Sequence, residues 1–274
     1  TEAPAATATN APASVETPWP DASFVGVEMH RIDPSGGLNL VSEAGVHWVR
    51  RNALLWSQVE PELGARDWTA QADLEAELVN AAEQGLQVLL IVRDVPGWAQ
   101  LAAGVSCGQV SPEHLEDFAR FMRDAVARYS RPPYNVKHWE LINEPDIAPQ
   151  WVAPDNFFGC WGVEGDPYYG GGAYAEMLKV VYPEMKSADQ ETQVLVGGLL
   201  MDCDPLNPPE TQPGSGQLKD CSPSRYLVGI LENGGGDFFD GVSFHAYDFY
   251  GNRPGFYGNY NLSLIHISEP TRLR

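Results

Sequence analysis

The chain has 274 residues, of which 43% are hydrophobic and 11% aromatic, so it is long enough to bury a large single core. Its 37 acidic and 17 basic residues give a formal net charge of -20. This charge argues against a nucleic-acid partner or an anionic membrane surface, because both require clustered lysine and arginine. No apolar run approaches the roughly 18 residues of a membrane span, so none is predicted.

Residues 1–21 are rich in Ala, Thr and Pro and nearly lack large apolar side chains. Such a segment cannot bury enough surface to offset its ordering entropy, which predicts a disordered tether. Tethers of this kind follow a removed signal or lipid anchor, so an extracellular or cell-surface location is expected. The alternative is a poorly ordered N-terminus of a cytosolic protein.

From residue 22 the pattern alternates between strand and helix. Gly85 is a C-terminal stop for the second helix, Ser111 and Pro112 begin the third, and Pro183 is predicted to bend or interrupt the fourth. The strands are expected at 23–32, 46–55, 86–95, 136–143, 192–200 and 239–250. A first, short helix is expected to end near Gly45, and the other helices are expected at 73–85, 111–129, 173–189 and 224–234.

Six strand units with intervening helices predict a parallel sheet, wound either as an open sheet or as a (β/α)8 barrel. No glycine-rich phosphate loop follows the first strand, which disfavours the dinucleotide-binding open sheet. All six predicted strands end in polar side chains of functional type: Glu28, His30, Arg50, Arg51, Arg93, Asp94, Asn143, Glu144, Asp202, His245, Tyr247 and Asp248. Because a barrel places its active site at the carboxyl ends of its strands, this pattern favours a (β/α)8 barrel with a site at that rim.

Four cysteines lie in predicted loops, without a CxxC pair or a histidine at metal-ligand spacing. An even number of loop cysteines favours disulfides and an oxidising compartment. The preferred pairing joins Cys107 to Cys160 and Cys203 to Cys221, with the other connectivities left open.

Four stretches carry a resemblance to the clan-A glycoside hydrolases, which are (β/α)8 retaining glycosidases. "WELINEPD" resembles the clan's fourth-strand Asn-Glu-Pro motif, "WVRRNALLWSQVEP" its second strand with an active-site arginine, "VPGWA" the third-strand exit of family 39, and "VSFHAYDFY" the sixth-strand His-x-Tyr. The chain is most similar to families 39 and 5, over about residues 22 to 260. A single Asn-Glu-Pro is a weak signal, whereas four stretches in this order are fairly specific.

The resemblance implies a role for each matching residue. Glu144 is the acid/base, Asn143 binds the sugar 2-hydroxyl, and Arg50 (Arg51 if the register differs by one) orients the nucleophile. His245 and Tyr247 shape the polar floor. Aromatic faces for sugar stacking are offered by Trp98, Trp151, Phe157, Trp161, Tyr168 and Tyr169. A carbohydrate is the implied partner, with no cofactor and no metal, and the oligomeric state is left open.

Other interpretations of these residues remain open. Arg50 or Arg51 is equally explained by a structural ion pair with Glu140, Glu144 by a strand-exit turn, His245 by a core histidine, and the aromatic residues by a packed core under a long loop. A second enzyme class is a metal-dependent barrel hydrolase or isomerase, with a divalent ion surrounded by Glu28, His30, Asp94, Glu144 and His245. The non-enzyme alternative is a carbohydrate-binding barrel.

The end of the chain bears on activity. A retaining barrel takes its nucleophilic glutamate from strand seven, but after Asn261 the chain runs "LSLIHISEPTRLR", which resembles a translated sequencing adapter. We therefore predict a partial barrel over 22–261, lacking strands seven and eight, and a non-native tail over 262–274. The chain as given is expected to be inactive, with open edges at strands one and six and with Glu144 facing an open cleft.

Overall fold

A computed structural model describes residues 25–200 and 222–245. Six strands form one sheet there, each hydrogen-bonded in parallel to its neighbour in the chain: β1 (Gly26–Glu28), β2 (Trp48–Leu55), β3 (Gln87–Arg93), β4 (His138–Leu141), β5 (Gln193–Leu199) and β6 (Gly241–Phe244). The sheet is a curled half-barrel alternating with helices, which confirms the predicted incomplete (β/α)8 barrel. The predictions for the tether, the tail, Cys203, Cys221, Asp202, Tyr247 and Asp248 fall outside the described residues.

The helices are α1 (Leu38–Glu43), α2 (Trp56–Val59), α3 (Ala72–Glu83), α4 (Leu115–Tyr129), α5 (Gly171–Ala188) and α6 (Tyr226–Glu232). The left-handed backbone of Gly85 (φ 70°) follows α3 directly, as predicted from its glycine stop. No helix of the described ranges is long and apolar enough to cross a membrane.

Two details can be compared with the sequence prediction. Helix α5 is continuous through Pro183, so of the predicted bend or interruption the interruption is wrong. A proline removes one backbone hydrogen bond, and the fully buried side chains of Val181 and Met185 on either side keep the helix packed. Ser111 takes the predicted N-cap position and Pro112 the first position of a short 3-10 turn, Pro112–His114, that leads into α4, although the Ser111 hydroxyl makes no capping hydrogen bond.

The sheet separates two layers of side chains. Along β3, Val88, Leu90 and Val92 belong to the main core beneath the helices, whereas alternation turns Leu89 and Ile91 to the inner face of the half-barrel. The outer layer is rich in aromatic contacts, such as the stacking of Trp56 and Trp68 on Phe121 of α4. Burying each such side chain stabilises the fold by about 1.5–3 kcal/mol, and this layer holds the strands in register.

The strand register shifts at two places, between Asn52 and Leu54 in β2 and between Val196 and Leu199 in β5. Irregularities of this kind redirect side chains and are common beside active sites. Both occur toward the carboxyl ends of their strands, where the polar residues gather.

Candidate active site

The chain turns sharply where β4 ends, and the turn is strained. Ile142 has a φ of 64° and Glu144 a φ of 52°, both in the left-handed region. This conformation is unfavourable for residues with a Cβ and most of all for a β-branched one. Such strain persists only where the surroundings impose it, and it is concentrated at functional sites.

Two glycines allow the surroundings to close around this turn. A Cβ on Gly197 would lie 1.6 Å from the carbonyl oxygen of Ile142, and one on Gly159 would lie 2.5 Å from Cγ2 of the same residue. The Tyr174 hydroxyl adds a brace, because it donates to the Leu141 carbonyl at 2.5 Å and accepts from the Gly197 amide at 3.2 Å.

The carboxylate of Glu144 contacts His245. Oε1 of Glu144 lies 2.6 Å from Nδ1 of the imidazole, and the two residues are only 4% and 8% exposed. Gly198 makes room for the ring, since a Cβ there would lie 2.3 Å from the histidine Nε2. The prediction that Glu144 faces an open cleft is therefore wrong, because its carboxylate is buried against His245.

Arg50 connects three strands on the inner face. Its Nη2 lies 2.5 Å from Oε1 of Glu140 on β4 and 2.6 Å from Oδ1 of Asn143, and its Nη1 lies 2.9 Å from Oε2 of Glu28 on β1. Burial lowers the pKa of Arg50, but the carboxylates of Glu140 and Glu28 outweigh it and raise that pKa above its ordinary value. The ion pair with Glu140 is thus present, and the same guanidinium also holds the amide next to Glu144.

Arg51 lies on the other side of the sheet. Its Nε donates to Glu77 of α3 at 2.6 Å, in the layer between sheet and helices. Because neighbouring residues on a strand point to opposite faces, only Arg50 of the two reaches the rim.

The predicted aromatic faces fall into different environments. Trp98 is half-buried: its ring packs edge-on against Trp56 and His114, with centroids 5.2 and 5.1 Å away, and its indole N–H donates to the Glu60 carbonyl at 3.0 Å. Trp161 and Tyr169 are buried, whereas Trp151 is 71% exposed and Phe157 is 56% exposed. Packing accounts for the buried rings, and sugar stacking at Trp98 stays a prediction.

A disulfide joins Cys107 to Cys160, as predicted for this pair. It connects the loop after β3 to the loop after β4, and the Cys160 amide also donates to the Cys107 carbonyl at 2.8 Å. The residue before Cys160 is Gly159, whose amide donates to the Asn143 carbonyl. The bridge is therefore connected to the strained turn through Gly159, which precedes Cys160 and hydrogen-bonds to Asn143.

The residues proposed for a divalent ion do not gather. Glu28 pairs with Arg50, His30 is exposed, the Asp94 carboxylate accepts from the Ser57 hydroxyl, and Glu144 contacts His245. No group of three or more His, Cys, Asp or Glu side chains within residues 25–200 and 222–245 is placed to hold a metal ion. The described part of the rim therefore gives the metal-dependent interpretation no ligand set.

Sequence reasoning foresaw the ion pair of Glu140 but missed the glycines and the contact of Glu140 with β5. Besides Arg50, Glu140 accepts the Gly198 amide at 3.2 Å, so the β4 carboxylate also fixes β5. The signal was visible as two adjacent glycines inside the apolar strand "TQVLVGGLL", because glycine within a strand marks a bulge or a close approach.

Comparison with known proteins finds likeness in structure. No protein-family model matches the chain, and no curated protein matches its sequence. Its fold is similar to a family 39 glycoside hydrolase from the gut symbiont Bacteroides cellulosilyticus WH2, at 22% identity and a TM-score of 0.54, over 80% of this chain and 37% of that one. It is also similar to a family 30 subfamily 8 xylanase from Clostridium acetobutylicum, at 17% identity and a TM-score of 0.53, over 79% of this chain and 46% of that one.

At these identities the likeness concerns the fold, and it confirms the predicted resemblance to the clan-A barrels at that level. The chain spans less than half the length of either solved structure.

Proposed function

We propose that the chain forms part of the catalytic barrel of a retaining glycoside hydrolase acting on a plant or microbial poly- or oligosaccharide, with Glu144 as the acid/base. The observation that carries the proposal is the placement of Glu144. Its carboxyl group follows β4 in a strained left-handed turn, 2.6 Å from the His245 imidazole. The similarity of the fold to two solved glycoside hydrolases supports the same reading.

The contacts of Glu144 suggest how it would act. A retaining glycosidase uses one carboxylic acid to protonate the departing oxygen and then to deprotonate water. Because Oε1 is held by His245, Oε2 is the oxygen that we assign to proton transfer. His245 thereby orients the carboxyl group, and Tyr247, two residues further along the sequence, is assigned to the same floor of the site.

Asn143 and Arg50 would position the substrate. Oδ1 of Asn143 accepts from Arg50 at 2.6 Å, which turns the amide nitrogen away from the guanidinium as a donor for the sugar 2-hydroxyl. Arg50 supplies a fixed positive charge for orienting a nucleophilic carboxylate. We assign sugar stacking to Trp98 as a further part of this proposal.

The nucleophile is not assigned to a described residue. The second carboxyl group of a retaining site lies about 5–5.5 Å from the first. Besides Glu144, the rim carboxylates discussed above are already engaged: Glu28 and Glu140 are bound by Arg50, and Asp94 accepts from Ser57. We therefore propose that the 274-residue chain does not turn over glycosides by itself. An extracellular or cell-surface location is part of the proposal, and the Cys107–Cys160 disulfide supports it.

The test is Glu144→Gln in a protein extended to include strands seven and eight. Turnover of glycosides with poor leaving groups should fall by about a hundredfold or more, because the departing oxygen then lacks its proton donor. Activated aryl glycosides should be partly spared, since they need little protonation. The matched control is Glu164→Gln, an exposed carboxylate in the loop that follows β4, which should leave both rates unchanged.

Equal losses on both substrate types would remove the acid assignment. A chelator should have no effect on the extended protein, whereas inhibition by the chelator would restore the metal-dependent interpretation.

A further inference from the structure

Arg93 ends β3 on the inner face of the half-barrel. Alternation places it on the side of Leu89 and Ile91, one step further toward the rim. The side chain is partly buried, and its Nε donates to Oδ1 of Asn52 at 3.0 Å. The guanidinium thus contacts a neutral amide.

Arg93 differs from the other buried and partly buried arginines of the described residues in its lack of a counter-ion. Each of the other partly or fully buried arginines within 25–200 and 222–245 has a carboxylate oxygen within 4 Å: Arg50, Arg51, Arg66 and Arg123. No such oxygen accompanies Arg93 in the same ranges, and the adjacent Asp94 carboxylate accepts from the Ser57 hydroxyl instead.

The missing counter-ion is not explained by composition. The chain carries 37 acidic residues against 17 basic ones, so carboxylates are abundant. Burial lowers the pKa of Arg93, although Asp94 opposes that effect. An arginine nevertheless stays protonated in proteins, and partial burial of an unpaired charge has a cost in stability. A cost of this kind at a candidate site points to a ligand that supplies the opposite charge.

The surroundings of Arg93 suit a sugar ring. The amide of Asn52 also donates to the Phe157 carbonyl at 3.2 Å, which anchors the loop after β4 above the end of β2. Phe157 is 56% exposed and its ring lies 4.3 Å from that of Phe158. Asn52 therefore links the guanidinium to the loop that carries Phe157, an exposed aromatic side chain of the kind on which sugars stack.

We propose that Arg93 binds an anionic group on the saccharide, either the carboxylate of a uronic acid or a sulfate ester, with Phe157 as the adjoining apolar face. This proposal rests on the function proposed above and specifies its substrate class. The two Nη groups of Arg93 form a planar fork that matches either anion in a bidentate manner.

The experiment uses the 274-residue chain and three glycosides that differ only at carbon six: methyl β-D-glucoside, methyl β-D-glucuronide and methyl β-D-glucoside 6-sulfate. Binding is followed by NMR titration, with sodium sulfate as a fourth probe. We expect one of the two charged glycosides to bind about tenfold more tightly than the neutral one, as for a hydrogen-bonded charge. The tighter charged glycoside identifies the anion.

Four variants separate the contributions of the Arg93 guanidinium and the Phe157 ring to binding. Arg93→Gln should abolish the preference for the charged glycoside, and Arg93→Lys should keep part of it because lysine retains the charge without the fork. Phe157→Ala should weaken the binding of all three glycosides equally and leave their ratio unchanged. Arg123→Gln is the matched control, since this arginine lies on α4 and pairs with Glu184 of α5, and it should leave both affinity and ratio unchanged. Thermal melting of each variant verifies that it is folded.

Equal binding of the charged and neutral glycosides, or no binding of any of them, would overturn the inference. Sodium sulfate binding as tightly as the charged glycosides would also overturn it, because the site would then recognise an anion without a sugar. None of these results affects the proposed function, which is judged separately by the turnover of Glu144→Gln.

Discussion

Three glycines near the end of β4 occupy positions where any side chain would clash with neighbouring atoms. Gly159 and Gly197 allow backbone and side chains to close on the turn at Ile142, and Gly198 leaves space for the His245 ring. A substitution at any of these glycines is expected to shift Glu144 without contacting it directly.

Gly198→Ala is therefore expected to displace His245 from Glu144. The new methyl group would lie 2.3 Å from the histidine Nε2, so the ring must move. Overpacking of this kind costs about 1–3 kcal/mol of unfolding free energy. Urea denaturation measures that cost, and the NMR resonances of the His245 ring report its displacement.

Gly97→Ala provides the matched control, because a Cβ at Gly97 meets nothing within 4 Å. If Gly198→Ala is as stable as the control and leaves the His245 resonances unchanged, the close packing described above is wrong.

His138, the first residue of β4, makes stability depend on pH. Burial lowers the pKa of His138 from 6.5 to about 4, and its Nδ1 is buried without a hydrogen-bond partner in the described structure. Between these pH values the unfolded chain binds a proton that the folded chain does not, so the fold loses stability as the pH falls from about 6.5 to about 4. The loss from this group is on the order of 3 kcal/mol.

The measurement compares urea unfolding of the wild type and His138→Gln across this pH range. The variant should lose less stability on acidification, whereas His47→Gln, at an exposed histidine, should behave as the wild type does. Parallel curves for the wild type and His138→Gln would contradict the assignment.

At the scale of elements, most of the fold follows from the sequence pattern. The apolar repeat along α4 and the continuous apolar run of β3 identify these elements, because each depends on neighbouring residues. Continuity through Pro183 was not predictable, since it depends on burial by elements distant in sequence. The same limit applies to the site. The Asn-Glu-Pro motif marked Glu144, but its burial depends on His245, about a hundred residues away.

The loops after β3 and β4 gain rigidity from their disulfide. The bridge spans 53 residues. In the chain-entropy account, closing a loop of this length stabilises the fold by about 4 kcal/mol. Replacing Cys107 and Cys160 together by alanine should lower the unfolding free energy by up to this amount and should increase amide exchange at Gly159 and Trp161.

Hydrogen exchange followed by mass spectrometry measures the exchange rates in these loops separately from the rest of the chain. Exchange in α3, on the far side of the sheet, serves as the internal reference and should not change. Uniform acceleration throughout the chain would show that the bridge acts on the whole fold rather than on these loops.

At the scale of the whole molecule, the strand order matters. Within the described residues β1 pairs with β2 only and β6 with β5 only, so these are the edge strands of the described sheet. Open edges promote association. The isolated chain is therefore expected to dimerise or to aggregate with increasing concentration, as sedimentation velocity would show. A single monomeric species throughout the soluble range would contradict this expectation.

The order of the strands in the sheet equals their order in the chain, and this has a consequence for biosynthesis. Each strand leaving the ribosome finds its neighbour already in place, so the sheet can grow vectorially while the remainder is still being translated. Arg50 meets Glu28 first, and Glu140 joins them only when β4 emerges. His245 arrives last. The candidate acid therefore acquires its histidine only after the scaffold that orients it has been synthesised.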